Sequence, residues 1–121
     1  MAAPKWAQEL LLNAVLHLQE AGHKVELPAL HWRRSAYHRF SSGRCNLDTH
    51  TITVTAGKSR VDSKLAVLHE AAHLAGVHHD SKFWDRAWEL YRWAKMPIRY
   101  CQKREYTYRA GAAVAYRRSR K

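Results

Sequence analysis

The run His69-Glu70-Ala71-Ala72-His73 restricts the possible folds of this chain more than any other segment. Two histidines four apart face the same way on a helix, where positions i and i+4 lie one turn above each other. Leu65, Leu68 and Ala72 give that helix an apolar face, and the sequence predicts a helix over residues 63–75 capped by Asp62 or Ser63. His69 and His73 then occupy a neighbouring face, turned toward a cleft, where their imidazoles can share one zinc ion. Glu70 stands beside the first histidine, in the position of a general base rather than a ligand. Beyond the second histidine, Gly76 permits a sharp helix exit, after which His78 or His79 can fold back as third ligand. Three protein ligands leave the fourth position of zinc open, which distinguishes a catalytic site from a closed structural one.

The chain is rich in histidine, so chance must be weighed against its own composition of 9 His and 6 Glu in 121 residues. In chains of that composition HExxH arises at random in roughly three of a hundred. Requiring another histidine ten residues after the first leaves roughly two in a thousand. If His69 and His73 were only polar residues on a half-exposed helix, Glu70, Gly76 and the third histidine would all be coincidences.

The remaining elements can be placed around this helix. Trp6, Leu10, Ala14, Leu18 and Ala21 recur at helical spacing between Pro4 and Gly22, which predicts an N-terminal helix over residues 4–21. Lys24-Val25-Glu26-Leu27 alternates as a half-buried strand would, and Leu30-His31-Trp32-Arg33 continues it past Pro28. Ser41-Ser42-Gly43 reads as a turn, followed by Arg44–Leu47 and the β-branched Thr51–Thr55, with Asn46 and Asp48 marking a turn between them. Together these predict an antiparallel meander of about three strands. Ser41 to Thr55 thus leads into the histidine helix, and Ser81 can cap a further helix over residues 82–95 that Pro97 ends. Phe83, Ala87, Leu90, Tyr91 and Ala94 form its buried stripe, with Trp84, Trp88 and Trp93 off it.

A chain of this length holds one domain with a modest core. It contains no export signal and no apolar run long enough for a bilayer, so its two cysteines, Cys45 and Cys101, are expected as reduced thiols in a cytoplasm. Charge is distributed unevenly: residues 1–80 carry a net +2 and residues 81–121 a net +9. The domain is therefore expected over residues 1–97, with a basic extension over 98–121. In that extension Tyr100, Tyr106, Tyr108 and Tyr116 interleave with Arg99, Arg104, Arg109 and Arg117. This pattern suits base stacking beside phosphate pairing, and equally suits an ordinary element docked on the domain.

From "GRCNLDTHTITVTAG" into "LHEAAHLAGVHHDSKFW" the chain resembles the SprT-like and YgjP-like (WLM-type) minimal zinc metallopeptidases. The resemblance spans roughly residues 24–95 and is most specific from Leu68 to Trp84. It implies a small zincin-like α+β domain with His69, His73 and His79 as ligands of one catalytic Zn²⁺, Glu70 as general base, and Phe83-Trp84 in the following helix. The same residues spell HExxHxxGxxHD through Gly76, His79 and Asp80, which is similar to the metzincins, but Met96 before Pro97 is poorly placed for their methionine turn. Many SprT-like proteins add a four-cysteine zinc ribbon that engages DNA, and this chain has only Cys101 there. The expected activity is hydrolysis of peptide bonds in a protein or peptide substrate, with any nucleic-acid contact made through residues 98–121. Tyr91, Tyr100 and nearby arginines are candidates for stabilising the oxyanion. The alternative is a basic nucleic-acid-binding or virion structural protein whose zinc site is vestigial or stabilising.

Overall fold

Helix α1, Lys5–Glu20, starts where Pro4 has already set a helix-compatible φ and ends at Gly22, whose φ of +97° closes the helix with an N–H bond to the Gln19 carbonyl. The computed structural model describes residues 2–35, 40–76, 78–105 and 116–117. The buried stripe of α1 is Ala7, Leu11, Ala14, Val15 and Leu18, rotated by one position from the expected Trp6-Leu10 register. Small side chains at Ala7 and Ala14 let the helix lie close to the core, which leaves Trp6 and Leu10 half-buried at its margin and Ala21 exposed.

Three strands follow: β1 (Ala29–Arg34), β2 (Ser42–Asn46) and β3 (Thr51–Ala56). The sheet is mixed, in the order β1-β3-β2, with β1 parallel and β2 antiparallel to β3. The expected antiparallel meander is therefore corrected. β2 and β3 do form a hairpin, its turn held by the Asn46 side chain, which accepts the N–H groups of Asp48 and Thr49 at 3.0 and 3.2 Å. β1, however, pairs with the far edge of β3, so β1 and β2 flank β3 on opposite sides. Two further corrections concern strand limits. Lys24–Leu27 forms no strand, because pairing starts only after Pro28, at the Ala29 N–H bonded to the His50 carbonyl. Ser42 and Gly43, read as a turn, lie within β2.

Ile52, Val54 and Ala56 turn one face of β3 into the core, against helix α2 (Arg60–Ala72). Every residue from Leu65 to Ala72 is buried, so α2 is the central helix of the domain rather than a surface helix with one apolar stripe. Its cap is Ser59, whose Oγ accepts the Asp62 N–H, not Asp62 or Ser63 as expected. Asp62 instead lies buried in the first turn and accepts bonds from Tyr100 Oη (2.5 Å), Arg104 Nε (2.9 Å) and the Ser41 N–H. A 3₁₀ turn at His73–Ala75 ends α2.

Helix α3, Ser81–Trp93, is capped by Asp80, whose carboxylate accepts the Phe83 N–H at 2.9 Å, one residue before the expected Ser81. Its buried arc holds Phe83, Trp84, Ala87, Trp88, Leu90 and Tyr91, all fully enclosed. Trp84 and Trp88 thus belong to the core, and Trp93 lies outside it at 37% exposure. Helix α4, Ile98–Glu105, packs against both α3 and α2, with Cys101 buried in the common core. Tyr100 and Arg104 of the tyrosine–arginine pattern point to Asp62, and Tyr116 packs edge-on to Trp88 at 5.3 Å. Tyr106, Tyr108 and Arg109 lie outside the described residues. The architecture is α+β: among the described residues, four α-helices with a three-stranded mixed sheet. Among the described residues no helix is long and apolar enough to cross a membrane.

Candidate metal centre

His69 in the last turn of α2 and His73 at its C-cap face the same way, and His79 returns to them from the segment that precedes α3. His79 Nε2 lies 3.1 Å from His69 Nε2 and 3.2 Å from His73 Nε2, and the potential ligand atoms of all three lie within 4.8 Å of one another. A tetrahedral ion bound at about 2.0–2.1 Å sets its ligand nitrogens about 3.3–3.4 Å apart, close to these separations. The donor set therefore fits a single metal ion. His78, the other candidate third ligand, is exposed and outside the group.

The opposite ring nitrogens are already engaged. His73 Nδ1 donates to the Gly76 carbonyl at 3.1 Å, and His69 Nδ1 lies 2.7 Å from Glu105 Oε2. A proton held on Nδ1 leaves the Nε2 lone pair facing the common point, as metal binding requires. In the chain without an ion, burial, aided by the neighbouring histidines, depresses His73 to about 4, so it is neutral at pH 7. Burial also lowers His69, but the hydrogen bond and charge of Glu105, together with Glu70, outweigh it and raise the group.

Two large rings in the first turn of α3 pack on the imidazoles: Phe83 stacks on His73 at 4.2 Å, and Trp84 stacks on His79 at 5.6 Å. Both rings are fully buried and hold the imidazole planes. Arg86 holds the turn between the ligands, its Nε donating to the Ala72 carbonyl at 3.2 Å. Gly76 has an extended backbone with φ of 168°, so the sharp exit expected there is made by the 3₁₀ turn instead. A Cβ on Gly76 would lie 3.2 Å from Arg86 Nη2.

Glu70 is buried at 7% exposure and lines two adjoining hollows. One, of about 230 Å³, is walled by Gly43, Arg44, Cys45 and the three histidines. The other, of about 260 Å³, extends past Ser41, Ser42, Arg104 and Glu105. Burial raises the Glu70 carboxyl above its ordinary range, the charge of His69 opposing and Glu105 reinforcing this. Strand β2 lies hard against it: a Cβ on Gly43 would fall 2.7 Å from Glu70 Cγ and 2.8 Å from its Oε2. The sequence does not signal this approach, since Ser41-Ser42-Gly43 reads as a turn rather than as part of a strand.

Tyr91 and Tyr100 do not face these hollows as free donors. Tyr91 is fully buried and donates to Glu105 Oε2 at 2.6 Å, and the Tyr100 hydroxyl is committed to Asp62. Both cysteines are free thiols. Burial, and then the Glu70 charge, push Cys45 up to about 11; burial and Glu105 push Cys101 up to about 12. Only the thiolate alkylates, and its fraction falls tenfold for each pH unit below the pKa. At pH 8, iodoacetamide is therefore expected to modify Cys45 about 100-fold more slowly in the folded chain than in urea, and Cys101 more slowly still. Peptide mass spectrometry reads both rates; equal labelling of Cys45 in the two states would contradict its enclosure.

Compared with protein-family models, with curated proteins and with solved structures, the chain gave no match.

Proposed function

We propose that this chain is a zinc-dependent metallopeptidase of the SprT/YgjP-like type. One observation carries the proposal: three imidazole nitrogens converge on one point while the Glu70 carboxylate, one residue along the same helix, opens onto the hollow they line. His69, His73 and His79 would hold the ion. A zinc ion held by these imidazoles would supply Lewis acidity to the scissile carbonyl and to a bound water. Glu70 accepts the proton of the attacking water and delivers it to the leaving amine nitrogen. Its carboxylate lines the same hollow as the three histidines, which places it beside the point they share. Phe83 and Trp84 exclude water from the back of the site and keep two of the imidazoles in plane.

Digestion of casein by the chain stripped of metal and then reloaded with zinc tests the proposal. Cleavage at new N-termini is expected only after reloading. Absence of cleavage by the zinc-loaded chain, or cleavage that persists unchanged after stripping, would overturn it.

Gly43 gives a finer test. In Gly43→Ala the new methyl must displace the Glu70 carboxylate, since the side chain can move more readily than strand β2. Misplacement on the scale of an ångström costs roughly 10- to 100-fold in rate. The variant is expected to lose activity on that scale with zinc content unchanged; full activity would mean that the carboxylate position is not critical.

A second reading, nucleic-acid binding, is favoured by the solvent face of the sheet. Arg33 and Arg44 flank a hollow of about 350 Å³ floored by Ser42, Gly43, Thr53 and Thr55, with no carboxylate in its lining. Guanidinium groups above a hydroxyl floor suit phosphate oxygens, as does the net charge of +11. Salt-dependent DNA binding tests this: each of Arg33→Ala and Arg44→Ala is expected to reduce the salt slope by about one, and an unchanged slope in both would remove this surface from the account.

A further inference from the structure

Glu105 lies 36 residues beyond His69 in sequence, at the end of α4, and within the part of the chain that composition alone marks as a basic extension. Its carboxylate is nevertheless 4% exposed, enclosed with the fully buried Tyr91 and Cys101. Burying a carboxylate costs several kcal/mol unless charged or hydrogen-bonding partners offset it. Among the described residues two partners do so, and both meet the same oxygen: Tyr91 Oη donates to Oε2 at 2.6 Å, and His69 Nδ1 lies 2.7 Å from it. The three groups come from three helices, α3, α4 and α2.

We infer that Glu105 is a positioning residue for the metal centre: oriented by Tyr91, it holds the His69 imidazole with its proton on Nδ1 and its Nε2 lone pair directed at the point shared with His73 and His79. The inference rests on the metal-binding part of the proposed function and not on its peptidase part. Each of the two inner ligands then has its own acceptor at the far nitrogen. For His73 it is the Gly76 carbonyl, fixed by the local turn. For His69 no local carbonyl serves, because inside α2 the backbone acceptors are used by the helix itself. The acceptor must come from another element, and α4 supplies it. A charged acceptor also makes His69 the more basic ligand of the pair, since a carboxylate on Nδ1–H strengthens donation from Nε2. On this account α4 is a structural part of the metal centre, which ties residues 98–105 to the site rather than to a separate function.

Glu105→Gln keeps an acceptor for both donors but removes the charge; Glu105→Ala removes both. Tyr91→Phe removes only the orienting hydroxyl and keeps the ring. Zinc affinity, read by competition with a chromophoric chelator, is expected to fall roughly 10- to 100-fold in Glu105→Ala, with a smaller loss in Glu105→Gln and Tyr91→Phe. A merely structural role would lower the melting temperature of the zinc-free chain without changing the state of the ring, so the second readout is the ¹⁵N shift of the His69 imidazole. The zinc-free wild type should show the Nδ1–H tautomer above the His69 titration, and Glu105→Gln a mixture. Zinc affinity within twofold of wild type in all three variants, or an unchanged His69 tautomer in folded Glu105→Gln, would overturn the inference. If casein is not cleaved by the wild type while zinc affinity still falls as stated, the positioning role stands and the peptidase proposal alone fails.

Discussion

Glu70→Gln is expected to abolish nearly all hydrolysis by the zinc-loaded chain while leaving its zinc content and its fold intact. Gln reproduces the shape and volume of the side chain, so the contact with the Gly43 backbone persists. It cannot accept and return a proton, and loss of a positioned general base typically costs 10²- to 10⁴-fold in rate, about 3–5 kcal/mol of barrier. The ligand group does not include Glu70, which separates this variant from any change at the histidines. Stability should hold or improve slightly, because the native carboxyl is buried and its raised pKa records the cost of ionising it there. Casein cleavage, zinc content and thermal melting, measured on one preparation, distinguish the outcomes. Loss of zinc together with activity would reassign Glu70 to the ligand set, and undiminished cleavage would remove it from the chemistry.

Trp88→Ala is expected to be the most destabilising single substitution away from the metal. Trp88 is wholly buried and meets Tyr91 edge-on at 5.4 Å and Tyr116 at 5.3 Å. Truncating a buried tryptophan removes its transfer free energy and leaves a cavity, together about 3–5 kcal/mol. Globular domains have only about 5–15 kcal/mol in total. In a chain of this size the melting temperature should fall by roughly 10–20 °C. Trp93→Ala on the same helix provides the control, since Trp93 is 37% exposed and, among the described residues, stacks on the partly exposed His17; its expected cost is below about 1 kcal/mol. Similar melting temperatures for the two variants would contradict the assignment of the α3 core face.

The features legible in the sequence were those set by local geometry. The spacing of His69 and His73 on a helix and the aromatic start of α3 follow from short-range periodicity and capping, whereas the residues alone left His78 and His79 both open and only the resemblance to the minimal zincins singled out His79. The Asn46 turn was legible for the same reason, because an Asx side chain bonds its own backbone two residues on. Strand order was not, since alternation identifies which residues face the core but not which strand lies beside which. The insertion of β3 between β1 and β2 depends on a connection that no periodicity records. Glu105 was hidden for a related reason: in a segment dominated by arginine and tyrosine, one glutamate resembles a surface charge until α4 brings it against His69. Trp84 and Trp88 lie off the narrow stripe that helical spacing predicts for α3, yet belong to the core, as aromatics at helical spacing more often do, because this helix is packed on both α2 and α4.

Everything proposed for the site depends on His69, His73 and His79 holding one metal ion together, and zinc content after dialysis against a mild chelator decides this. About one zinc per chain is expected for the wild type and for His78→Ala, and little or none for His69→Ala, His73→Ala and His79→Ala. A wild-type chain that retains no zinc, or a His79→Ala chain that retains as much as His78→Ala, would contradict the three-histidine centre.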